Sequence, residues 1–476
     1  MKKKLVLILT VLVTFSCTEL TDLNINKKDP LQVPGESLFT GAQKNIVDVM
    51  TDCNVNNNIW ELIMQYWTEV TYTDESNYDL VTRTIPDGFW QVAYRDVLKD
   101  LDESAKIIEN TDDILTNDLK TNKLAIIEIM SVYTWAILIE TFGDVPYSQA
   151  LDIEILLPEY DDAETVYRDL ISRLTVAIDN LDLANGSFGA ADNIYQGDVA
   201  KWKSFGNSLK LRMGMLFADI DNSFASLTVL SAVADGVFTS NDDNALFEYG
   251  AVQPNTNPLW VNLIASGRFD FVATETIVDT MNVLNDPRRQ YYFSPYPEPG
   301  QYAGGPNGVG CLYASFSNQA DAIKQPTFPG NIFDYAQVEF LLAEAVERGY
   351  AVGGTAQEHY DNAITASILS WGGTATDATN YLSQSGVNYA TAEGNWKQKI
   401  GTQAWIAFYL RGFDAWTTQR RLDFPLLVAP PDAVSGFPVR YTYPIGEQTL
   451  NGANYDAAAA AIGEDLVETQ LFFDAN

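Results

Sequence analysis

The strongest constraint on the fold is a segment, residues 123–142, that is apolar on nearly every side of a helix. Such a helix needs protein contacts all around it, so we expect it to lie at the centre of a helical core. Gly143 can end the helix and Pro146 prevents it from resuming. Polar residues such as Glu128 interrupt the run, so we do not interpret it as a membrane span.

Helical periodicity continues on both sides of this segment. The apolar spacing of Ile59, Leu62, Ile63, Tyr66 and Trp67 predicts one buried helix face. Further helices are predicted at 86–109, 163–183, 198–220, 227–235, 332–350, 356–371, 391–410 and 413–422.

The region between the helices predicted up to residue 235 and those predicted from residue 332 differs in composition and periodicity. Residues 244–331 are rich in Gly, Pro, Asn and Tyr and show no sustained period, which indicates loops. We therefore predict a mainly α fold: a single domain, 36–476, in which helix pairs form a scaffold over 36–243 and 332–424. A loop-rich, ligand-binding insertion of about 244–331 interrupts it, and a loop-rich tail follows over 425–476. No 34-residue repeat is legible, so any tetratricopeptide character is structural.

The N-terminus has the pattern of an export signal. Three lysines precede an 11-residue apolar run, Leu5 to Phe15, and Cys17 follows. We predict a signal peptide at 1–16, lipidation of Cys17, and a lipid anchor and tether at 17–35. Thr14 departs from the usual lipoprotein pattern, and an ordinary secretory signal with a chance cysteine is the alternative.

Charge and composition exclude several classes of function. The chain has 29 basic and 63 acidic residues, a net charge of −34, which excludes broad nucleic-acid binding. A single histidine excludes His-rich metal sites, and three cysteines exclude a disulfide framework. Cys53 and Cys311 could pair or remain free thiols. We expect no metal and no cofactor.

Aromatic residues in the polar and loop-rich segments are the best ligand-binding candidates. Flat rings can stack on the C–H face of a sugar while nearby amides and acids bind its hydroxyls. Packing of the insertion onto the helices is the alternative role for these rings. The candidate residues are Trp67, Tyr72, Asp74, Asn77, Tyr78, Tyr291, Tyr292, Tyr296 and Tyr302, and Tyr313 and Phe316 lie in the same central segment.

A series of short motifs occurs in a characteristic order along nearly all of the mature chain. They are LNIN (23–26), QYWTE (65–69), TYTDE (71–75), FGDVPY (142–147), NSLKLR (207–212), DPR (286–288), EFLLAEA (339–345) and RYTYP (440–444). In this order, behind a lipoprotein signal, the chain resembles the SusD/RagB outer-membrane lipoproteins of Bacteroidetes, in the subgroup called SusD-like 2. Arg212 and Arg440 of these motifs are expected to form internal ion pairs or to cap carbonyls.

The resemblance implies a SusD-like fold with tetratricopeptide-like helix pairs and a function in binding. Such proteins are not catalysts; they face the cell exterior, anchored in the outer membrane by lipid, and pass a glycan to a SusC-like TonB-dependent transporter. The negative charge favours a neutral glycan such as a β-glucan over a uronate polymer, although a basic patch at Arg288 and Arg289 could override it. A peptide ligand, as in the RagB branch, is the main alternative, and a hydrolase is a more distant one.

Overall fold

The structure, a computed structural model, describes residues 33–111 and 116–475. The predicted signal peptide, the predicted lipidation site Cys17 and most of the predicted tether lie outside the described residues. Helices form most of the regular structure. In chain order they are α1 (Gly35–Thr51), α2 (Trp60–Ile63), α3 (Ile85–Gln91), α4 (Lys99–Glu109), α5 (Asn117–Phe142), α6 (Ala163–Asp179), α7 (Val199–Met215), α8 (Asn222–Asp235), α9 (Pro258–Trp260), α10 (Glu275–Val283), α11 (Arg289–Tyr292), α12 (Tyr335–Glu347), α13 (Ala356–Ser370), α14 (Ala375–Leu382), α15 (Trp396–Ala407), α16 (Gly412–Leu422), α17 (Ile445–Leu450) and α18 (Gly452–Ala461).

The mainly α fold is confirmed, and the long helices predicted from periodicity are present with ends shifted by a few residues. A π-helical segment, Val92–Leu98, joins α3 to α4, so the predicted helix at 86–109 is continuous. Four pairs of helices pack along their lengths: α1 with α4, α5 with α6, α7 with α8, and α12 with α13. The C-terminal segment contains α17 and α18, which the periodicity does not predict.

Helix α5 is the central buried helix that the apolar segment predicts. By length and composition it could cross a membrane, but 89% of its most apolar window is buried inside the fold. Gly143 follows it with a φ of 88°, a conformation that favours glycine and ends the helix.

The predicted helix through Ile59 to Trp67 is present only over Trp60–Ile63, and its continuation to Trp67 is wrong. Helix α2 ends at Ile63, and Gln65 has a φ of 55°, in the left-handed region. The chain then forms strand β1 (Trp67–Glu69), which pairs antiparallel with β3 (Phe271–Ala273). This segment is buried on all sides, so its apolar spacing reflects burial and is not specific to a helix.

A second strand pair closes the insertion at its base. Strand β2 (Ala245–Phe247) pairs antiparallel with β4 (Gly330–Phe333). Because these strands lie at the two ends of the 244–331 segment, they bring both ends of it to one place on the scaffold.

Cys53 and Cys311 are both free thiols.

The carboxylate of Glu140, on α5, connects several helices of the core. Glu140 has no exposed surface, and its Oε1 accepts hydrogen bonds from Arg212 Nη1 at 2.8 Å and from the Tyr167 hydroxyl at 2.7 Å. Its Oε2 accepts from the Thr417 hydroxyl at 3.2 Å. The three donors lie on α7, α6 and α16, so one buried charge ties α5 to three neighbouring helices.

The expected roles of the two motif arginines are confirmed. Arg212 forms the internal ion pair with Glu140. Arg440 Nη2 donates to the Phe142 carbonyl at 2.8 Å, at the end of α5, and its Nη1 donates to Asp465 at 2.6 Å. Both arginines therefore stabilise the fold.

We predict that Glu140→Gln lowers the free energy of unfolding by about 3–5 kcal/mol, because it leaves the buried Arg212 guanidinium without its main counter-charge. The matched control is Glu128→Gln, which breaks an ion pair with Arg173 whose two side chains are 33% and 32% exposed. For that half-buried pair we expect a smaller loss, of about 1 kcal/mol. Urea unfolding of both variants measures the difference, and equal losses would contradict the role assigned to Glu140.

Candidate functional site

Three chain segments meet beside the β1–β3 pair. The backbone amide of Val70, just after β1, donates to the Asp270 carbonyl at 2.9 Å. The Val70 carbonyl accepts from the amide of Cys311 at 2.9 Å. Val70 therefore lies between a segment that leads into β3 and a loop from the middle of the insertion.

These three segments display the most exposed aromatic residues of the described chain. Tyr72 is 63% exposed and Phe269 is 62% exposed. The ring of Phe269 lies against that of Tyr313, with a centroid distance of 5.0 Å, and Leu312 next to it is 74% exposed. We call Tyr72, Phe269, Leu312 and Tyr313 the aromatic platform. Exposed rings grouped in this way are typical of a binding surface.

A cavity of about 150 Å³ adjoins the aromatic platform, and Tyr72 forms part of its wall. We call it the platform cavity. It combines side-chain amides, a hydroxyl and charged groups, all able to hydrogen-bond a polar ligand. Its other lining residues are Cys53, Asn54, Val55, Asn56, Glu69, Thr71, Arg83, Asn262, Arg268, Asp270 and Phe271.

The positive charges of the platform cavity are neutralised within the protein. Arg268 Nε lies 2.6 Å from Asp270 Oδ2, and Arg83 pairs with the buried Glu75. An anionic ligand would have to compete with these carboxylates for either arginine. The cavity is therefore better suited to an uncharged ligand.

Glu69 lies at the base of the platform cavity and is 5% exposed. Its Oε2 accepts hydrogen bonds from the amide of Ser76 at 3.0 Å and from the Ser76 hydroxyl at 3.1 Å. Burial, and then the neighbouring Glu75 carboxylate, raise the pKa of Glu69 to about 8. Glu69 is therefore mostly uncharged at neutral pH.

The structure divides the predicted ligand residues near β1 into exposed and buried ones. Tyr72 belongs to the aromatic platform, and Asp74 is exposed on the turn that follows it. Asn77 is 5% exposed, and its Nδ2 donates to the Gly308 carbonyl at 2.8 Å, so it joins this turn to the insertion. Ligand contact by Tyr72 and Asp74 stays a prediction.

Trp67, Tyr78 and Tyr292 are core residues with at most 1% exposure, so they cannot stack on a ligand in this structure. Each has a protein partner for its polar atom. Trp67 Nε1 donates to the Tyr409 hydroxyl at 2.8 Å, the Tyr78 hydroxyl accepts from Gln65 at 3.1 Å, and the Tyr292 hydroxyl donates to the Ile406 carbonyl at 2.9 Å. These three side chains therefore pack in the core, which is the alternative role that the sequence analysis gives for the aromatic residues.

The other predicted aromatic residues of the insertion are half-buried and do not join the aromatic platform. The Tyr291 hydroxyl donates to the Gly372 carbonyl at 2.9 Å, and Tyr291 lines a different cavity. Tyr302 packs against Phe293 with a centroid distance of 6.2 Å. Tyr296 lies in a loop where its amide donates to the Gln301 carbonyl at 2.7 Å. Their contact with a ligand remains a prediction.

Phe269 is the main platform residue that sequence reasoning missed. Phe269 lies two residues before β3 and is 62% exposed, whereas Phe271, the first residue of β3, is 7% exposed. Because residues i and i+2 of a strand share a face, period-two spacing would place both rings on the same side, so no local pattern identified Phe269 as exposed. Arg288, proposed as part of a basic surface patch, has no exposed surface and forms an ion pair with Asp286 at 2.6 Å.

Within the described residues, no group of three or more His, Cys, Asp or Glu side chains is placed to hold a metal ion.

Paired helices thus form the scaffold, and exposed aromatic rings beside a polar cavity form its candidate binding surface. The sequence profile of SusD-like 2, a family described as "Starch-binding associating with outer membrane", matches residues 27–444. The chain therefore belongs to the SusD-like 2 family. The resemblance found in the sequence is confirmed.

Solved structures agree with this assignment. A chitin-binding protein is 25% identical, with a TM-score of 0.80, and the match covers 93% of this chain and all (100%) of that one. A chitin-binding SusD homologue from Flavobacterium johnsoniae is 23% identical, with a TM-score of 0.79 and coverages of 93% and 99%. A SusD homologue from Bacteroides thetaiotaomicron is 22% identical, with a TM-score of 0.79 and coverages of 94% and 100%. A comparison with curated proteins finds no match.

We predict that the free energy of unfolding decreases as pH rises, partly because Glu69 has a raised pKa in the folded state. Between about pH 4.3, the usual pKa of glutamate, and pH 8, the folded state retains a proton on Glu69 that the unfolded state has released. Stability due to this proton is therefore lost as pH rises through that window, by up to about 1.4 kcal/mol for each pH unit. Glu69→Gln should flatten this part of the profile in urea unfolding from pH 5 to 8.

The control for this measurement is Glu154→Gln, at an exposed loop position. The other buried acids are common to all three proteins, so the difference between profiles reports the titration of Glu69 together with its interaction with Glu75. Parallel profiles for Glu69→Gln and the unsubstituted protein would show that Glu69 is ionised in the folded state.

Proposed function

We propose that this protein captures a neutral glycan on the aromatic platform and passes it to a SusC-like TonB-dependent transporter at the outer membrane. The observation that carries the proposal is the grouping of Tyr72 and Phe269, the most exposed aromatic residues of the described chain, beside a cavity lined by amides. Aromatic rings bind the apolar face of a sugar, and amides bind its hydroxyl or acetamido groups.

The charge of the protein supports a neutral ligand. The net charge of −34 repels polyanions at long range, and both arginines of the platform cavity are paired with carboxylates. We retain a β-glucan as the first candidate. Two of the similar structures are of chitin-binding proteins; chitin is also uncharged and is the second polysaccharide to test.

Lipid anchoring at Cys17, which the sequence predicts, would place capture at the cell surface. It would hold the helical domain against the outer membrane through the tether, facing the cell exterior, where one copy can associate with one transporter. The family description associates these proteins with the outer membrane and with polysaccharide binding, which supports a binding role without catalysis.

We predict that Tyr72→Ala and Phe269→Ala each weaken glycan binding roughly tenfold, or about 1.4 kcal/mol, because each removes a stacking surface. Affinity electrophoresis of the purified protein against β-glucans, chitin derivatives, and alginate or pectin measures the effect and identifies the ligand class. Tyr296→Ala and Asp74→Ala in the same series test two of the remaining predicted contacts.

Leu227→Ala is the matched control, since Leu227 is an apolar side chain with 71% exposure on α8, outside the aromatic platform. It should leave binding unchanged. Preferential, salt-sensitive binding of a uronate polymer would contradict a neutral ligand. Binding of peptides instead of glycans would favour the RagB-like alternative, and release of reducing ends would indicate a hydrolase.

A further inference from the structure

A second cavity, of about 200 Å³, lies between the insertion and the helices that follow it. We call it the aromatic cavity, because Tyr291, Phe328, Trp371 and Tyr409 line it together with aliphatic side chains. It shares no lining residue with the platform cavity. Ala322, one of its lining residues, is exposed, and Tyr291 and Trp371 are half-buried, so a small molecule can enter from solvent.

The aromatic cavity has one buried acceptor without a partner. Asn331 lines it; its Nδ2 donates to Asp334 at 3.1 Å, whereas its buried Oδ1 accepts no hydrogen bond. The amide of Asn257, also in the wall, is satisfied by the Phe328 carbonyl at 2.7 Å and the Leu259 amide at 2.6 Å. An unpartnered buried acceptor is costly, so it favours a ligand that brings a donor.

The one charged side chain in the wall of the aromatic cavity forms ion pairs within the protein. Arg411 is the one charged residue in its wall, and it lies 2.8 Å from Asp334 and 2.7 Å from Asp414. A charged ligand would therefore lose its hydration without gaining a partner. Size limits the ligand as well: apolar cavities of about 150 Å³ are known to hold benzene, so this one accommodates a substituted or fused ring.

We propose that the aromatic cavity binds an uncharged aromatic group, of the size of indole, that donates one hydrogen bond to Asn331 Oδ1. The group can be a free compound or an aromatic side chain of a peptide. This site is independent of the aromatic platform, so it can be tested separately from the proposed glycan binding.

The test uses two probes of nearly equal shape, indole and 1-methylindole, of which only indole has an N–H donor. Calorimetric titration of the mature protein should show indole binding roughly fivefold tighter, the value of one hydrogen bond between uncharged groups. Asn331→Leu should remove this preference and leave the affinity for 1-methylindole unchanged or higher. Absence of indole binding at millimolar concentration, or a preference for indole that persists in Asn331→Leu, would overturn the proposal.

Two further variants locate the probe. Ala322→Trp places a large side chain at the exposed edge of the aromatic cavity and should abolish indole binding, whereas Ala184→Trp, at an exposed loop position elsewhere, should not. Tyr72→Ala should also leave indole binding unchanged. Equal indole binding by Ala322→Trp and the unsubstituted protein would place the probe elsewhere and refute this site.

N-acetyltryptophanamide distinguishes the two sources of the aromatic group. If it binds as tightly as indole, the cavity accepts a tryptophan side chain of a peptide. If only indole binds, the cavity accepts a free compound. Both results support an aromatic ligand, and circular dichroism of each variant checks that its fold is retained.

Discussion

The buried carboxylate of Glu140 is the interaction on which the helical scaffold depends. A charge without accessible surface is tolerated only with a full set of partners, so Arg212, Tyr167 and Thr417 must keep their positions around it. These partners fix α6, α7 and α16 against α5. The position of α16 in turn determines the site, because the amide of Gly412, its first residue, donates to buried Glu61 on α2 at 2.7 Å.

The path from the core to the ligand surface is short. Helix α2 leads within a few residues into β1, where Trp67 donates to the Tyr409 hydroxyl. β1 pairs with β3, and the segments beside this pair display Tyr72 and Phe269. A rigid base of buried rings thus supports exposed rings, which lowers the entropy lost when a ligand stacks on them.

The insertion forms much of the platform cavity and of the aromatic cavity. The platform cavity includes Cys53, and the aromatic cavity includes Thr51, so the two lie on either side of the chain at the end of α1. They differ in chemistry: the first has amides and paired charges, whereas the second has aromatic walls and a single open acceptor at Asn331. We therefore expect the two cavities to bind different classes of ligand.

The helical scaffold could be predicted from the sequence, because amphipathic spacing and the apolar segment at 123–142 are local properties of the chain. The sequence also indicated Tyr72, since a tyrosine in a short polar stretch has little local core to enter. The burial of Trp67, Tyr78 and Tyr292 and the exposure of Phe269 became clear only from the folded structure. Burial of a ring in a loop depends on residues distant in sequence, as the hydrogen bond between Trp67 and Tyr409 shows. The same reason explains the missed β1 strand: its partner, β3, lies about two hundred residues further along the chain, and no local spacing reports that pairing.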